Sequence, residues 1–243
     1  MALAPDKHAQ GAHKSVATGL TLATLGAIAF SGKAIIVKLA YRHGVDAVTL
    51  IMLRMLFALP FFLAMTWWAS RHTPQRKPPP LTRKDLLGIV WLGFTGYYLA
   101  SFLDFAGLQY ITASLERLIL YLNPTLVLLL GWMFVGRRIG LRQAMGMAIS
   151  YGGVLLVFGH EVTLQGSDVA LGAVLVFLSA VSYALYLFYS GEMVQRLGSM
   201  RLVGLATSVA CGLCILQFVV LRPLETAWAV TPQVLWLSVL NAT

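Results

Sequence analysis

Long runs of apolar residues dominate this chain, and short polar connections separate them. A helix needs about 20 mostly apolar residues to cross the hydrocarbon core of a bilayer. Runs of about that length occur seven times, and an eighth run begins near Gln233 and reaches Thr243. The seven predicted spans cover residues 16–40, 47–69, 86–108, 113–135, 141–159, 169–191 and 202–221. The pattern predicts an all-α polytopic membrane protein with seven full spans and a partial eighth.

The long connection and the first run each need separate interpretation. Residues 70–85 contain four prolines, Pro74, Pro78, Pro79 and Pro80, which favour an extended, solvated linker. Lys7, Lys14 and the small residues Ala27 and Ala29 could instead make the first run a cleaved signal peptide. The apolar run continues past that site to residue 40, which favours an uncleaved first span.

Composition supports the membrane interpretation and excludes two other classes. Apolar residues make up 58% of the chain and charged residues 11%, against about 45–50% and about 25% in soluble domains. A soluble globular fold and a disordered chain are therefore both excluded. The net charge of +9 would suggest a nucleic-acid partner in a soluble chain. Here it arises from loops, and no nucleic acid is needed to explain it.

The lysines and arginines fall mainly on one side of the predicted membrane. The N-terminal tail and the loops after spans 2, 4 and 6 hold twelve of them, and the opposite side holds three. Cytoplasmic loops carry the excess of basic residues in membrane proteins. The asymmetry predicts a multi-pass protein of the cytoplasmic (inner) membrane with its N-terminus in the cytoplasm.

Two runs show a weak internal repeat. Residues 19–30 in span 1 and 172–183 in span 6 share small, apolar and aromatic positions at an offset of 153 residues. A five-span unit would place the second copy in the opposite orientation, which is typical of secondary transporters with a midplane substrate site. The predicted division is a tail (1–15), a first repeat (16–159), an outer loop (160–168) and a partial second repeat (169–243).

Four stretches together resemble a known family. They are residues 30–40 (FSGKAIIVKLA), 53–55 (LRM), 106–116 with the AGLQY and ASLE segments, and 123–139 with Asn123-Pro124 and the closing GRRI. From about residue 16 to its end, the chain resembles the EamA-type permeases of the drug/metabolite transporter superfamily. The resemblance implies ten spans in two inverted five-helix halves, and export of metabolites such as amino acids.

The chain departs from the family pattern in two places. Arg137 stands where the family usually has a glutamate after the glycine that ends span 4. The eighth run would rise only about 16 Å as a helix, against a hydrocarbon core of about 30 Å. The expectation is that the chain is a fragment whose second repeat is truncated.

Six charged residues lie inside the first four predicted spans, and all fall in the outer half by topology. They are Lys33, Lys38, Arg54, Asp104, Glu116 and Arg117. Charges at membrane depth usually face a bundle interior or a wet cavity. One interpretation is a basic vestibule in which Lys33 and Arg54 meet a carboxylate or phosphate. The alternative is structural: Arg54 pairs with Asp104 or Glu116, Arg117 meets outer headgroups and Lys38 snorkels.

Polar and aromatic residues recur on single helix faces beside these charges. Tyr97, Ser101 and Asp104 share a face of span 3, and Ser179, Tyr183, Tyr186 and Ser190 share a face of span 6. Pro124 removes one helical N–H and frees the carbonyl of Leu120, which could either kink the helix beside Asn123 or bind something polar. The candidate substrate-binding residues are Lys33, Arg54, Tyr97, Ser101, Asp104, Glu116, Asn123, Tyr183 and Tyr186. Simple packing also explains a tyrosine stripe.

Other features point to packing rather than chemistry. Small residues recur every four positions, at Gly19, Ala23, Ala27 and Ser31 and at Gly136, Gly140, Ala144, Ala148 and Gly152, which favours close helix pairs. Cys211 and Cys214 lie in an apolar run without further nearby ligands for a metal. We expect no metal and no cofactor.

The sequence favours a transporter over an enzyme or a channel. All five histidines fall in tails or loops, and nucleotide-binding and hydrolase motifs are absent. Ser101 beside Asp104 is the nearest approach to a catalytic pair, and a channel would need residue rings from several subunits. We expect a secondary transporter of small organic metabolites that works by alternating access. Its partners would be the bilayer and a solute, with amino acids or other carboxylates as candidates. Substrate, direction, coupling ion and homo-oligomerisation stay open.

Overall fold

A computed structural model describes residues 20–21, 24, 26, 32–71, 80–136, 138–165 and 168–242. In this part of the chain every regular element is helical. The elements are α1 (residues 32–41), α2 (Ala47–Arg71), α3 (Arg83–Gly93), a π-helical segment (Phe94–Leu99), α4 (Ala100–Leu108), α5 (Ala113–Leu120), α6 (Asn123–Val135), α7 (Leu141–Gln165), α8 (Asp168–Leu197), α9 (Ser199–Leu221), α10 (Glu225–Trp228) and α11 (Pro232–Ala242).

Six stretches among the described residues are long and apolar enough to span a membrane. They run Ala47–Arg71, Arg83–Leu108, Ala113–Val135, Leu141–His160, Asp168–Leu197 and Ser199–Leu221. The prediction of an all-α polytopic membrane protein is therefore confirmed. The predicted eighth span corresponds to α11, and the first is described continuously only as α1. The arrangement in inverted repeats stays a prediction.

Several sequence predictions concern residues outside the described part of the chain. They are the tail lysines Lys7 and Lys14, the linker prolines Pro74, Pro78 and Pro79, the residue Arg137, and the small-residue stripe of Gly19, Ala23, Ala27 and Ser31. The first copy of the proposed repeat, residues 19–30, also lies largely there.

Helices that are distant in the sequence pack against each other in pairs. The α2 helix lies along α9, α4 lies on α8, and α11 packs against α2. Glycines permit the α4–α8 approach, since a Cβ at Gly107 would lie 2.7 Å from the carbonyl oxygen of Gly172. The α7 helix is outermost and buries none of its most apolar window. Its small-residue stripe therefore makes no close helix pair within the described residues.

Two spans depart from the α-helix partway along their length. In the third span, the helix begins one turn earlier than predicted because Thr82 and Asp85 form a capping box. It then passes through the π-helical segment, which pattern analysis did not predict. The fourth span breaks at Tyr121 and Leu122, between α5 and α6. The break lies just before Pro124, as its missing N–H predicts.

The two thiols lie in the largest hydrophobic cluster, with Ile51, Phe105 and Phe218. Cys211 and Cys214 are fully buried and carry free thiols. The Sγ of Cys211 lies 3.7 Å from the Sδ of Met55 on the facing α2 helix. Their surroundings are those of packed core residues.

Candidate functional site

A cavity of about 280 Å³ lies where the two irregular spans meet α1 and α8. Its wall includes Gly96 and Ala100 of the third span, Leu120 of the fourth and Ser179 of α8. Six of the nine residues predicted to bind substrate also line it: Lys33, Tyr97, Ser101, Asp104, Asn123 and Tyr183. The helix faces inferred from spacing thus converge on one space. The other three candidates, Arg54, Glu116 and Tyr186, lie outside its wall.

The charged residues form a buried cluster beside the cavity. Lys33 on α1 donates a hydrogen bond to Oδ2 of Asp104 on α4. The same ammonium lies 3.9 Å from Oε1 of Glu116, whose Oε2 lies 3.2 Å from Nε of Arg117. The Glu116 side chain is fully buried, and that of Asp104 is only 3% exposed. Buried charges of this kind need mutual compensation, because desolvation costs each ion several kcal/mol.

Arg54 does not take part in this cluster. Its Nε donates to the carbonyl oxygen of Asn241 on α11 over 3.2 Å, and its Cζ lies 5.5 Å from the ring centroid of Phe105. The Lys33 ammonium lies 5.6 Å from the same ring. The ion pair suggested between Arg54 and Asp104 or Glu116 is therefore absent among the described residues. Lys33 reaches both carboxylates instead, because α1 packs close to α4 and α5.

Arg117 and Lys38 each have a partner within the protein. Arg117 lies against Glu116. Lys38 donates to the carbonyl oxygen of Leu108 over 2.9 Å. It lines a second, larger cavity of about 640 Å³, together with Tyr41, Arg42, Asp46 and other residues of the α1–α2 turn. Lys33 and Lys38 thus line different cavities, and Arg54 and Arg117 are not among the lining residues of either.

Three tyrosines form one wall of the smaller cavity and its support. The hydroxyl oxygens of Tyr97 and Tyr186 are 3.1 Å apart, with ring centroids 5.1 Å apart in an edge-to-face arrangement. Tyr183 stacks on Tyr186 at 5.5 Å. Tyr186 is therefore a support for the lining tyrosines rather than a lining residue. Gly96 makes this possible, since a Cβ there would lie 2.4 Å from the Tyr186 ring.

Two serines of α8 donate hydrogen bonds to backbone carbonyls in and beside the π-helical segment of the third span. Ser179 donates to the carbonyl oxygen of Ala100, and Ser182 donates to that of Thr95, each over 2.7 Å. Such bonds satisfy backbone groups that water cannot reach in a bilayer. Sequence analysis grouped Ser179 with the tyrosines but missed Ser182, Gly96 and Thr95. The spacing of Ser179 from Tyr183 and Tyr186 indicated a shared polar face. It gave no indication of which backbone carbonyl the serine contacts.

The described residues contain no group of three or more His, Cys, Asp or Glu side chains arranged to hold a metal ion. The cavity presents an ammonium group, a carboxylate, hydroxyl groups and the Asn123 amide to a small molecule.

These observations define a polytopic α-helical membrane protein with a polar cavity between its spans. The chain belongs to the EamA-like transporter family, whose family model matches residues 17–159, and it is an EamA-type permease of the drug/metabolite transporter superfamily.

The similar curated proteins carry transporter names. Three are from Bacillus subtilis (strain 168). The uncharacterized transporter YcbK is 28% identical over 195 residues, covering 78% of this chain and 59% of YcbK. The uncharacterized transporter YvbV is 28% identical over 42% of the chain and 33% of its own length. The uncharacterized transporter YyaM is 30% identical over 43% and 35%. This chain therefore spans less than two thirds of each relative. No solved structure matches it.

Proposed function

We propose that the protein is a secondary transporter of small organic metabolites that carry a carboxylate, amino acids among them. The observation that supports this is the cavity lined by both Lys33 and Asp104. The Lys33 ammonium is the natural partner for a solute carboxylate, and Asp104 holds it in place. Tyr97 and Tyr183 would contact the remainder of the solute.

The proposal includes alternating access and a cytoplasmic membrane location. The helices around the cavity come from distant parts of the chain, since α4 packs on α8 there. Rocking of the third and fourth spans against α8 would open the cavity to each side of the membrane in turn. The carrier is favoured over an enzyme because Asp104 is engaged by Lys33 rather than poised beside Ser101. A channel has no specific support.

Transport by the full-length protein in proteoliposomes tests this function. We would measure uptake of radiolabelled L-alanine, L-glutamate, propionate and succinate, with protein-free liposomes as the blank. At least one solute should enter faster with the protein. If none of these carboxylates does, the carboxylate assignment is wrong.

Lys33→Met provides the matched test of the site. Loss of a charged hydrogen-bonding partner costs about 1.5–3 kcal/mol, so apparent affinity should fall about 10- to 100-fold. Lys38→Met removes a lysine from the same helix but outside the cavity and should leave uptake within about threefold of wild type. Equal losses in both variants would contradict the assignment, provided that size-exclusion profiles show both proteins folded.

A further inference from the structure

The carboxyl groups of Asp104 and Glu116 both approach the Lys33 ammonium, Asp104 as its hydrogen-bond acceptor and Glu116 with Oε1 at 3.9 Å. Among the described residues, Oδ1 of Asp104 and both oxygens of Glu116 are buried without a hydrogen bond, and Oε2 of Glu116 has only its ionic contact with Arg117. A buried acceptor without a donor costs about 1–3 kcal/mol. As ionised groups, neither carboxylate can donate to the other. One added proton would give the pair a hydroxyl donor, which the ionised carboxylates lack.

Two ionised carboxylates buried beside the same ammonium also repel each other strongly where water is excluded, and neighbouring carboxylates in such sites commonly hold one proton. The charged and titratable groups around the pair come from every neighbouring element. They are Lys33 and Tyr41 of α1, Arg54 of α2, Tyr97 of the π-helical segment, Arg117 of α5 and Tyr183 of α8. The α7 and α8 residues in the cluster around α5 are apolar: Val154, Val157, Phe158, Val169, Ala173 and Val176.

We propose that Asp104 and Glu116 share one proton, and that this proton-binding site couples transport to a proton gradient. The coupling rests on the proposed function. Asp104 lines the cavity, so a proton from cavity water reaches the pair through it. Lys33 contacts both carboxylates.

The coupling follows from competition for Lys33. When the pair carries a proton, its charge falls from −2 to −1, and its hold on the Lys33 ammonium weakens. The solute carboxylate then takes that ammonium, which leaves the local charge unchanged compared with the empty, proton-free site. When the pair loses its proton, its carboxylates bind the Lys33 ammonium again, and the solute dissociates. Proton and carboxylate therefore bind together and move in the same direction, as in a symporter.

Infrared spectroscopy of the full-length protein tests the shared proton directly, with the proton itself as the probe. Wild type at neutral pH should show a protonated-carboxyl stretching band that disappears as pH is raised. Asp104→Asn and Glu116→Gln should each abolish the neutral-pH band, because the remaining carboxylate then ionises beside Lys33. Glu192→Gln, at an exposed position of α8, should keep it. A missing wild-type band, or a band that survives both pair substitutions, would overturn the site.

A pH-sensitive dye inside weakly buffered proteoliposomes tests the coupling. Entry of succinate, L-glutamate, propionate or L-alanine should acidify the lumen with wild type, after subtraction of the protein-free blank. Glu116→Gln should lose this acidification. Solute entry without acidification would overturn the coupling while leaving the transporter function intact. An infrared band that behaves as expected without any solute entry would support the proton site and reject the proposed function.

Discussion

Asp46 shows at the scale of one residue how a turn outside the membrane is held. Its Oδ2 accepts hydrogen bonds from the backbone N–H groups of Val48 and Thr49, and its Oδ1 accepts one from the Thr49 hydroxyl. Arg222 approaches the same carboxylate at 3.3 Å. Partial burial alone would raise the pKa of Asp46, but the hydrogen bonds from Thr49 and the Arg222 charge lower it overall. The residue thus caps α2 in its ionised form.

Asp46→Ala should lower the free energy of unfolding by about 1 kcal/mol at neutral pH, because α2 loses its cap. Since the folded-state pKa lies below the unfolded value of about 3.9, this stability exists above that value. It disappears as pH falls through the folded-state pKa. Thermal unfolding in detergent should therefore show a difference between wild type and variant that shrinks in acid. Asp46→Asn, which still caps, should lose less, and a difference that grows in acid would contradict this account.

At the scale of elements, the π-helical segment depends on a glycine that lets two spans touch. Gly96 faces the Tyr186 ring so closely that any side chain would overlap it. Gly96→Ala should displace Tyr186, separate it from Tyr97 and cost about 1–3 kcal/mol of stability. Near-ultraviolet circular dichroism and the thermal midpoint would report both changes.

A control glycine distinguishes the effect of steric overlap on stability from the effect of helix propensity. Gly153 lies in α7 with no atom within 4 Å of a Cβ at that position. Gly153→Ala should be neutral or stabilise by up to about 1 kcal/mol, since alanine favours helix. If both alanines cost the same, the close contact at Gly96 is not what holds the two spans together.

The limits of sequence reasoning are clearest among these elements. The apolar runs predicted the spans because length and hydropathy alone decide which segments cross a bilayer. Pro124 predicted the break in the fourth span because it lacks a donor. The π-helical segment could not be predicted, since residues 94–99 keep the apolar pattern of an ordinary helix and the Tyr186 ring that Gly96 meets comes from a distant part of the chain.

The contacts within the site could not be predicted, for the same physical reason. Topology placed Lys33, Asp104 and Glu116 in the outer half of the predicted membrane, and spacing placed Asp104 on a face with Tyr97. The partner of each charge depended on helix packing across about 70 residues of sequence, as in the contact of Lys33 with Asp104. Arg54 lies at a comparable depth but is drawn to Asn241 by the packing of α11 on α2.

At the scale of the whole molecule, two opposite ends can be distinguished, and their assignment to the sides of the membrane is testable. His43 precedes α2 and Arg142 begins α7, with three spans between them. Three crossings place the two positions on opposite sides. The excess of lysine and arginine near Arg142 predicts that its side is cytoplasmic.

Single cysteines at these two positions decide the orientation. The native thiols, Cys211 and Cys214, are buried and would be replaced by alanine to remove background. A membrane-impermeant maleimide should label His43→Cys in intact cells and Arg142→Cys only after permeabilisation. The reverse pattern would contradict the charge rule while keeping the fold. Equal labelling of both would contradict the three crossings, because an odd number of spans cannot return the chain to the side from which it started.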